Sequence, residues 1–80
     1  MKVEVVCFGA MRDFLPEPKR GRTHLMVPDG ATVRDVVGAL GAPAHLVFAV
    51  LVDGERADFD RPLDPNVEVT LMPPFAGGAR

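Results

Sequence analysis

The chain is short of the residues from which small proteins build chemistry of their own. In 80 residues it has one cysteine, Cys7, and two histidines, His24 and His45. A single cysteine excludes an internal disulfide and fits a reducing, cytoplasmic setting. The histidines are not paired at ligand spacing and there is no Cys-x-x-Cys, so no metal site is expected. The formal net charge is only -2, which gives no electrostatic case for a nucleic-acid or anionic-membrane partner. No apolar run approaches the length of a membrane span. Met1-Lys2-Val3-Glu4 sets an acidic residue among apolar ones and does not read as a secretory leader. Acidic residues are scattered rather than paired, and the terminal glycines precede no helix. Neither a carboxylate dyad nor a phosphate-cradling loop is therefore expected. Internal repeats and low-complexity linkers are also lacking.

What remains is the composition of one small globular domain, 48% apolar and 25% charged. Val3 to Phe8 reads as a first strand, with Val3, Val5 and Cys7 inward and Lys2, Glu4, Val6 and Phe8 on the other face. Cys7 is thereby expected to be a buried, inert core residue. Ala10 to Leu15 predicts a helical turn pinned by Met11, Phe14 and Leu15. Pro16 to Arg22 is a turn-rich connection whose cations Lys19, Arg20 and Arg22 read as solvated. Thr23 to Val27 predicts a second strand, and Pro28-Asp29-Gly30 a turn. Thr32 with Asp35 three residues on is a variant capping box. It opens a helix whose stripe is Val33, Val36, Val37 and Leu40, closed by Gly41 and Pro43. Val47 to Val52 is an almost unbroken apolar run, predicted to be a strand buried on much of both faces. Asp53-Gly54 is a tight turn into a weaker strand over Glu55 to Phe59. After the Arg61 to Asn66 loop, a last strand runs from Val67 to Met72, with Val67, Val69 and Leu71 inward and Glu68 and Thr70 outward. One amphipathic helix needs one sheet face to cover it, so the pattern predicts an α+β fold with a single helix on a mixed sheet.

The last strand runs into Pro73-Pro74-Phe75-Ala76-Gly77-Gly78-Ala79-Arg80. Neither proline can donate to a ladder, so the strand stops there. Between Phe75 and Arg80 no side chain is large, and Gly77 and Gly78 have none. A thin backbone of this kind can thread a narrow channel and present a carbonyl to another protein's active site. The expected division is a folded domain over 1–74 and a flexible tail over 75–80.

Pro73-Pro74-Phe75-Ala76-Gly77-Gly78 resembles the terminus of the ubiquitin-like sulfur carriers, the MoaD/ThiS family, which includes the small subunit of molybdopterin synthase. Asp29-Gly30-Ala31-Thr32-Val33 and Val50-Leu51-Val52-Asp53-Gly54-Glu55 are similar to that family's helix start and third-strand hairpin. Arg12-Asp13-Phe14-Leu15-Pro16 and Leu51-Val52-Asp53-Gly54-Glu55 also resemble the ubiquitin-like domain found fused to Mut7-C type nucleases, which usually lacks the Gly-Gly tail. The tail favours the carrier.

The resemblance implies a β-grasp fold, with first and last strands parallel at the sheet centre. It implies that the chain is not an enzyme and holds no cofactor. An E1-like adenylyltransferase would use ATP to adenylate Gly78, and a sulfurtransferase would supply the sulfur that makes its thiocarboxylate. A molybdopterin synthase large subunit is a further expected partner. Phe75, Ala76 and Gly77 would form the threading tail. Val6, Phe8, Met72 and Phe75 are expected to form the apolar patch that docks the activating enzyme. One departure matters: the family ends at its second glycine, whereas here Gly78 continues into Ala79-Arg80. The expected remedy is cleavage between Gly78 and Ala79 by a zinc-dependent JAMM-type peptidase. A protein modifier joined to lysines through Gly78, and an interaction domain without terminal chemistry, are the alternatives.

Overall fold

The computed structural model describes residues 1–74. Five strands and one α-helix follow one another as β1 (Lys2–Cys7), β2 (Arg22–Met26), α1 (Val33–Leu40), β3 (Ala49–Val52), β4 (Glu55–Ala57) and β5 (Glu68–Met72). Three short 3-10 turns, Gly9–Phe14, Pro18–Arg20 and Ala44–Leu46, fill the connections. The sheet order is β2-β1-β5-β3-β4. Neighbours run antiparallel except at the centre, where β1 and β5 pair in parallel with Val5 opposite Val69 and Cys7 opposite Leu71. This is the expected α+β, β-grasp arrangement.

Period-two alternation explains which side is covered. Val3, Val5, Cys7, Val50, Val52, Val69 and Leu71 all point to one face and are buried. Val33, Val36 and Val37 of α1 close over them, while Leu40 is only half-buried. Met11 and Leu15 extend the core from the first 3-10 turn, and Phe14 packs at its margin.

The helix ends follow the sequence closely. Thr32 Oγ1 accepts from the Asp35 N–H, and Asp35 Oδ2 accepts from the Thr32 N–H at 2.9 Å, the expected capping box. The N–H groups of Val33 and Arg34 donate to the Arg61 and Phe59 carbonyls at 3.1 and 2.9 Å, so the β4–β5 loop satisfies what the cap does not. Gly41, at φ +76, ends the helix, and the Ala42 N–H reaches back to the Val37 carbonyl.

The differences from the sequence reading lie at strand margins. The first strand stops at Cys7, one residue before Phe8, and β3 starts at Ala49, not Val47. β4 ends at Ala57, and β5 starts after Val67, itself buried. These residues fall in the irregular connections between elements, because each chain reversal needs backbone that a ladder cannot hold. Thr70 does lie on the face away from the helix, but it is buried rather than outward, at 8% exposure. Its strand is central, so Val6 and Leu51 stand directly beside it in register.

Leu71→Ala should lower the unfolding free energy by about 2–5 kcal/mol, because it empties a site on the innermost strand. Thr32→Ala should cost only about 1 kcal/mol, the usual loss for a capping hydroxyl. Urea denaturation of both variants checks the order; a Thr32→Ala loss equal to that of Leu71→Ala would contradict it.

Candidate functional site

The candidate site is the end of the sheet at which β5 gives out. Two hydrogen bonds hold the strand to its last residues. The Phe8 N–H donates to the Leu71 carbonyl at 3.1 Å, and the Phe48 N–H donates to the Met72 carbonyl at 2.8 Å. Pro73 and Pro74 follow with no N–H to offer, so pairing stops there. Phe8 and Phe48 therefore flank the root of the tail from β1 and β3, at 52% and 65% exposure. On one side Pro73 lies over Gly9, where an added Cβ would stand 2.9 Å from Pro73 Cγ.

The face away from α1 leads up to this point. Across it, Arg22, Val6, Thr70, Leu51 and Arg56 stand abreast on β2, β1, β5, β3 and β4. An apolar centre is thus bracketed by two guanidinium groups. One row further from the tail, Glu4 and Glu68 are opposite one another. Like charges so placed repel, and Arg22 answers one of them with an ion pair to Glu4 at 2.6 Å.

The sequence-predicted docking residues are distributed as follows. Val6 and Met72 lie on this face and are half-buried. Phe8 lies just beyond β1 and is exposed. Phe75, Ala76, Gly77, Gly78 and Ala79, with the tail and cleavage expectations attached to them, lie outside the described residues. Phe48 is the residue that sequence reasoning missed. It sat inside a run read as a buried strand, and only the late start of β3 leaves its ring outside. Its bulk beside the small Ala49 was the one available signal.

Cys7 has no part in this surface. Its side chain is on the helix-covered face, and burial pushes the thiol up from 9.0 to about 11. A neutral, enclosed thiol is neither a nucleophile nor a metal ligand at neutral pH. Among the described residues no three His, Cys, Asp or Glu side chains are placed to hold a metal ion. No helix among them is long and apolar enough to cross a membrane.

A single helix on a mixed five-stranded sheet, with the last strand at its centre, defines the class: a ubiquitin-like β-grasp protein. The Mut7-C ubiquitin family profile matches residues 1–77, and the chain belongs to that family. Solved structures share the fold. Small archaeal modifier protein 1 of Haloferax volcanii is similar at 25% identity, with 91% of this chain and 97% of that one covered and a TM-score of 0.71. A putative molybdopterin converting factor subunit 1 from Pyrococcus furiosus matches at 20% identity, over 92% and 98% of the two chains, with a TM-score of 0.72. A chain of the complex of subunits 1 and 2 of the molybdopterin-converting factor from Helicobacter pylori matches at 23% identity, over 98% and 100%, with a TM-score of 0.62. A search of the curated proteins finds no match. Both resemblances read from the sequence are met, the Mut7-C ubiquitin-like domain by the family match and the carriers by fold.

The Cys7 thiol makes a pH-dependent prediction. The unfolded chain releases this proton near 9.0 and the folded chain near 11. Between those values the unfolded state binds fewer protons, so stability falls as pH rises. Relative to Cys7→Ala, the wild type should lose up to roughly 2–3 kcal/mol across that window. Parallel denaturation curves that keep a constant gap from pH 8 to 11 would contradict it.

Proposed function

We propose that this domain is a ubiquitin-like sulfur carrier that works through Gly78. The observation that carries the reading is the exit of the central strand. β5 ends between two exposed aromatic rings, passes through Pro73-Pro74 and continues in sequence to Gly77-Gly78. Such a terminus suits a partner that threads backbone into a channel while it holds the folded domain outside. A backbone carboxylate is a poor electrophile. Attack of its oxygen on the α-phosphate of ATP expels pyrophosphate and leaves an acyl adenylate, from which a sulfur nucleophile can displace AMP. The E1-like adenylyltransferase supplies the catalytic groups, a sulfurtransferase supplies the sulfur, and the domain supplies the acyl group. A molybdopterin synthase large subunit is the receiving partner suggested by the two-subunit complex from Helicobacter pylori, one chain of which shares this fold.

In this sequence Gly78 is followed by Ala79, so its carbonyl is held in a peptide bond. An amide cannot be adenylated as a carboxylate can. The carrier reading therefore requires cleavage between Gly78 and Ala79, and a zinc-dependent JAMM-type peptidase suits a bond between residues this small. The likeness to small archaeal modifier protein 1 supports a second reading, conjugation to target lysines through the same Gly78. Membership of the Mut7-C ubiquitin family supports a third, an interaction domain that uses the sheet face alone.

ATP–pyrophosphate exchange by the activating enzyme separates these readings. The chain ending at Gly78 should support exchange and the full chain should not. Equal exchange with an uncleaved Ala79 would remove the precursor step, and exchange with neither would favour the interaction domain. Intact mass then divides carrier from modifier, since only the carrier exchanges a terminal oxygen for sulfur. Phe8→Ala and Phe75→Ala should each raise the KM for this exchange about tenfold or more, the scale of an aromatic anchor at an interface. Unchanged kinetics in either variant would remove that residue from the docking patch.

A further inference from the structure

We propose that Gly9 is a positioning residue: its missing side chain seats the Pro73 ring and aims the chain as it leaves the sheet. The consequence rests on the carrier reading, since aim matters only if Gly78 must reach another protein's catalytic centre. Five described glycines have positive φ: Gly9, Gly21, Gly30, Gly41 and Gly54. At Gly30, Gly41 and Gly54 an added Cβ would meet nothing within 4 Å, so those positions need glycine for backbone conformation alone. At Gly21 the nearest atoms belong to the Arg12 guanidinium, at 3.4 Å, the far end of a long side chain. Gly9 is different. Its φ is +55, and a Cβ there would stand 2.9 Å from Pro73 Cγ, closer than two carbons can approach. The pyrrolidine ring closes on its own backbone and cannot swing aside, so a side chain at residue 9 would displace the chain itself.

The contact falls where other constraints end. Hydrogen bonds from Phe8 and Phe48 hold Leu71 and Met72. Pro73 is the first residue past them, and its fixed φ carries any displacement onward. Among the described residues other than its chain neighbours, a Cβ at Gly9 would meet only Pro73 within 4 Å. A change at Gly9 should therefore alter where the tail goes, not whether the domain docks.

The test uses the chain ending at Gly78, the host's E1-like activating enzyme, and variants whose folding is checked by circular dichroism at the assay temperature. Gly9→Ala should be adenylated about tenfold more slowly, the scale of a small misplacement of a reacting group. It should still compete with wild type for the enzyme at an unchanged inhibition constant. Pro73→Ala, which vacates the seat from the other side, should show the same separation. The double variant should be no slower than the slower single, because both changes disturb one contact. Weakening of competition and adenylation together in Gly9→Ala would mean a merely structural role and overturn the proposal. So would full activity in Gly9→Ala. If Gly9→Ala does not fold, full activity in Pro73→Ala overturns it instead, and slow adenylation at an unchanged inhibition constant supports it. Failure of the wild type itself to be adenylated overturns the carrier reading and this role with it; a wild type that is adenylated and matched by Gly9→Ala overturns this role alone.

Discussion

Everything in this domain depends on the parallel pairing of β1 with β5. The two strands are joined by the whole intervening chain, yet they lie side by side at the middle of the sheet, with Glu4 to Cys7 opposite Glu68 to Leu71. Closing so long a loop costs entropy before any contact offsets it. The return comes from burying Val3, Val5, Cys7, Val69 and Leu71 on one face, under Val33, Val36 and Val37 of α1. Each such side chain contributes about 1.5–3 kcal/mol on full burial. Hairpins at either side, β1–β2 and β3–β4, add local pairing, but neither has a core without the central two strands.

That pairing also places the site. Because β5 is central, its end is flanked on both sides by the ends of other strands, and each supplies an aromatic ring. A last strand at a sheet edge would have exposed a ladder instead, with the attendant risk of strand addition. Here the chain leaves through a gap bounded by Phe8, Phe48 and Gly9, and the prolines prevent pairing from continuing into the tail. The division of labour follows. The folded domain holds the exit, and the residues between Phe75 and Arg80 carry no bulk. The same geometry explains why the domain needs no reactive side chain of its own: in the carrier reading the reacting group is backbone.

The surface next to the exit has a graded character. Near the tail it is apolar, with Phe8, Met72, Val6 and Leu51; at its flanks stand Arg22 and Arg56; beyond lie Glu4 and Glu68. An apolar centre with a charged rim is the usual anatomy of a protein interface, in which the centre supplies affinity and the rim orientation. Thr70, buried among these side chains, keeps the middle of the patch from being continuous hydrocarbon.

The sequence by itself determined the elements, the inward face and the terminus. Alternation along Val3–Val5–Cys7 and Val67–Val69–Leu71 fixed which residues are buried, because side chains of a strand point to opposite faces. Thr32 with Asp35, and Gly41 with Pro43, marked both ends of the helix through local capping and chain-breaking, although the Arg61 and Phe59 carbonyls complete its first turn. Asp53-Gly54 fixed the hairpin, since both residues take the positive φ that a tight turn requires. The tail was legible as composition, and the β-grasp order came from resemblance as much as from pattern. What only the tertiary structure decided was everything set by a neighbour distant in sequence. Phe48 was hidden in an apolar run, because its exposure depends on where β5 lets β3 begin. Thr70 read as outward, because the strands that shield it are far away in the chain. Gly9 carried no signal beyond the end of a strand, because the atom that needs its empty space belongs to Pro73, far away along the chain. Local patterns record hydrogen bonds and periodicity within a few residues; they hold no record of what the fold later brings within contact.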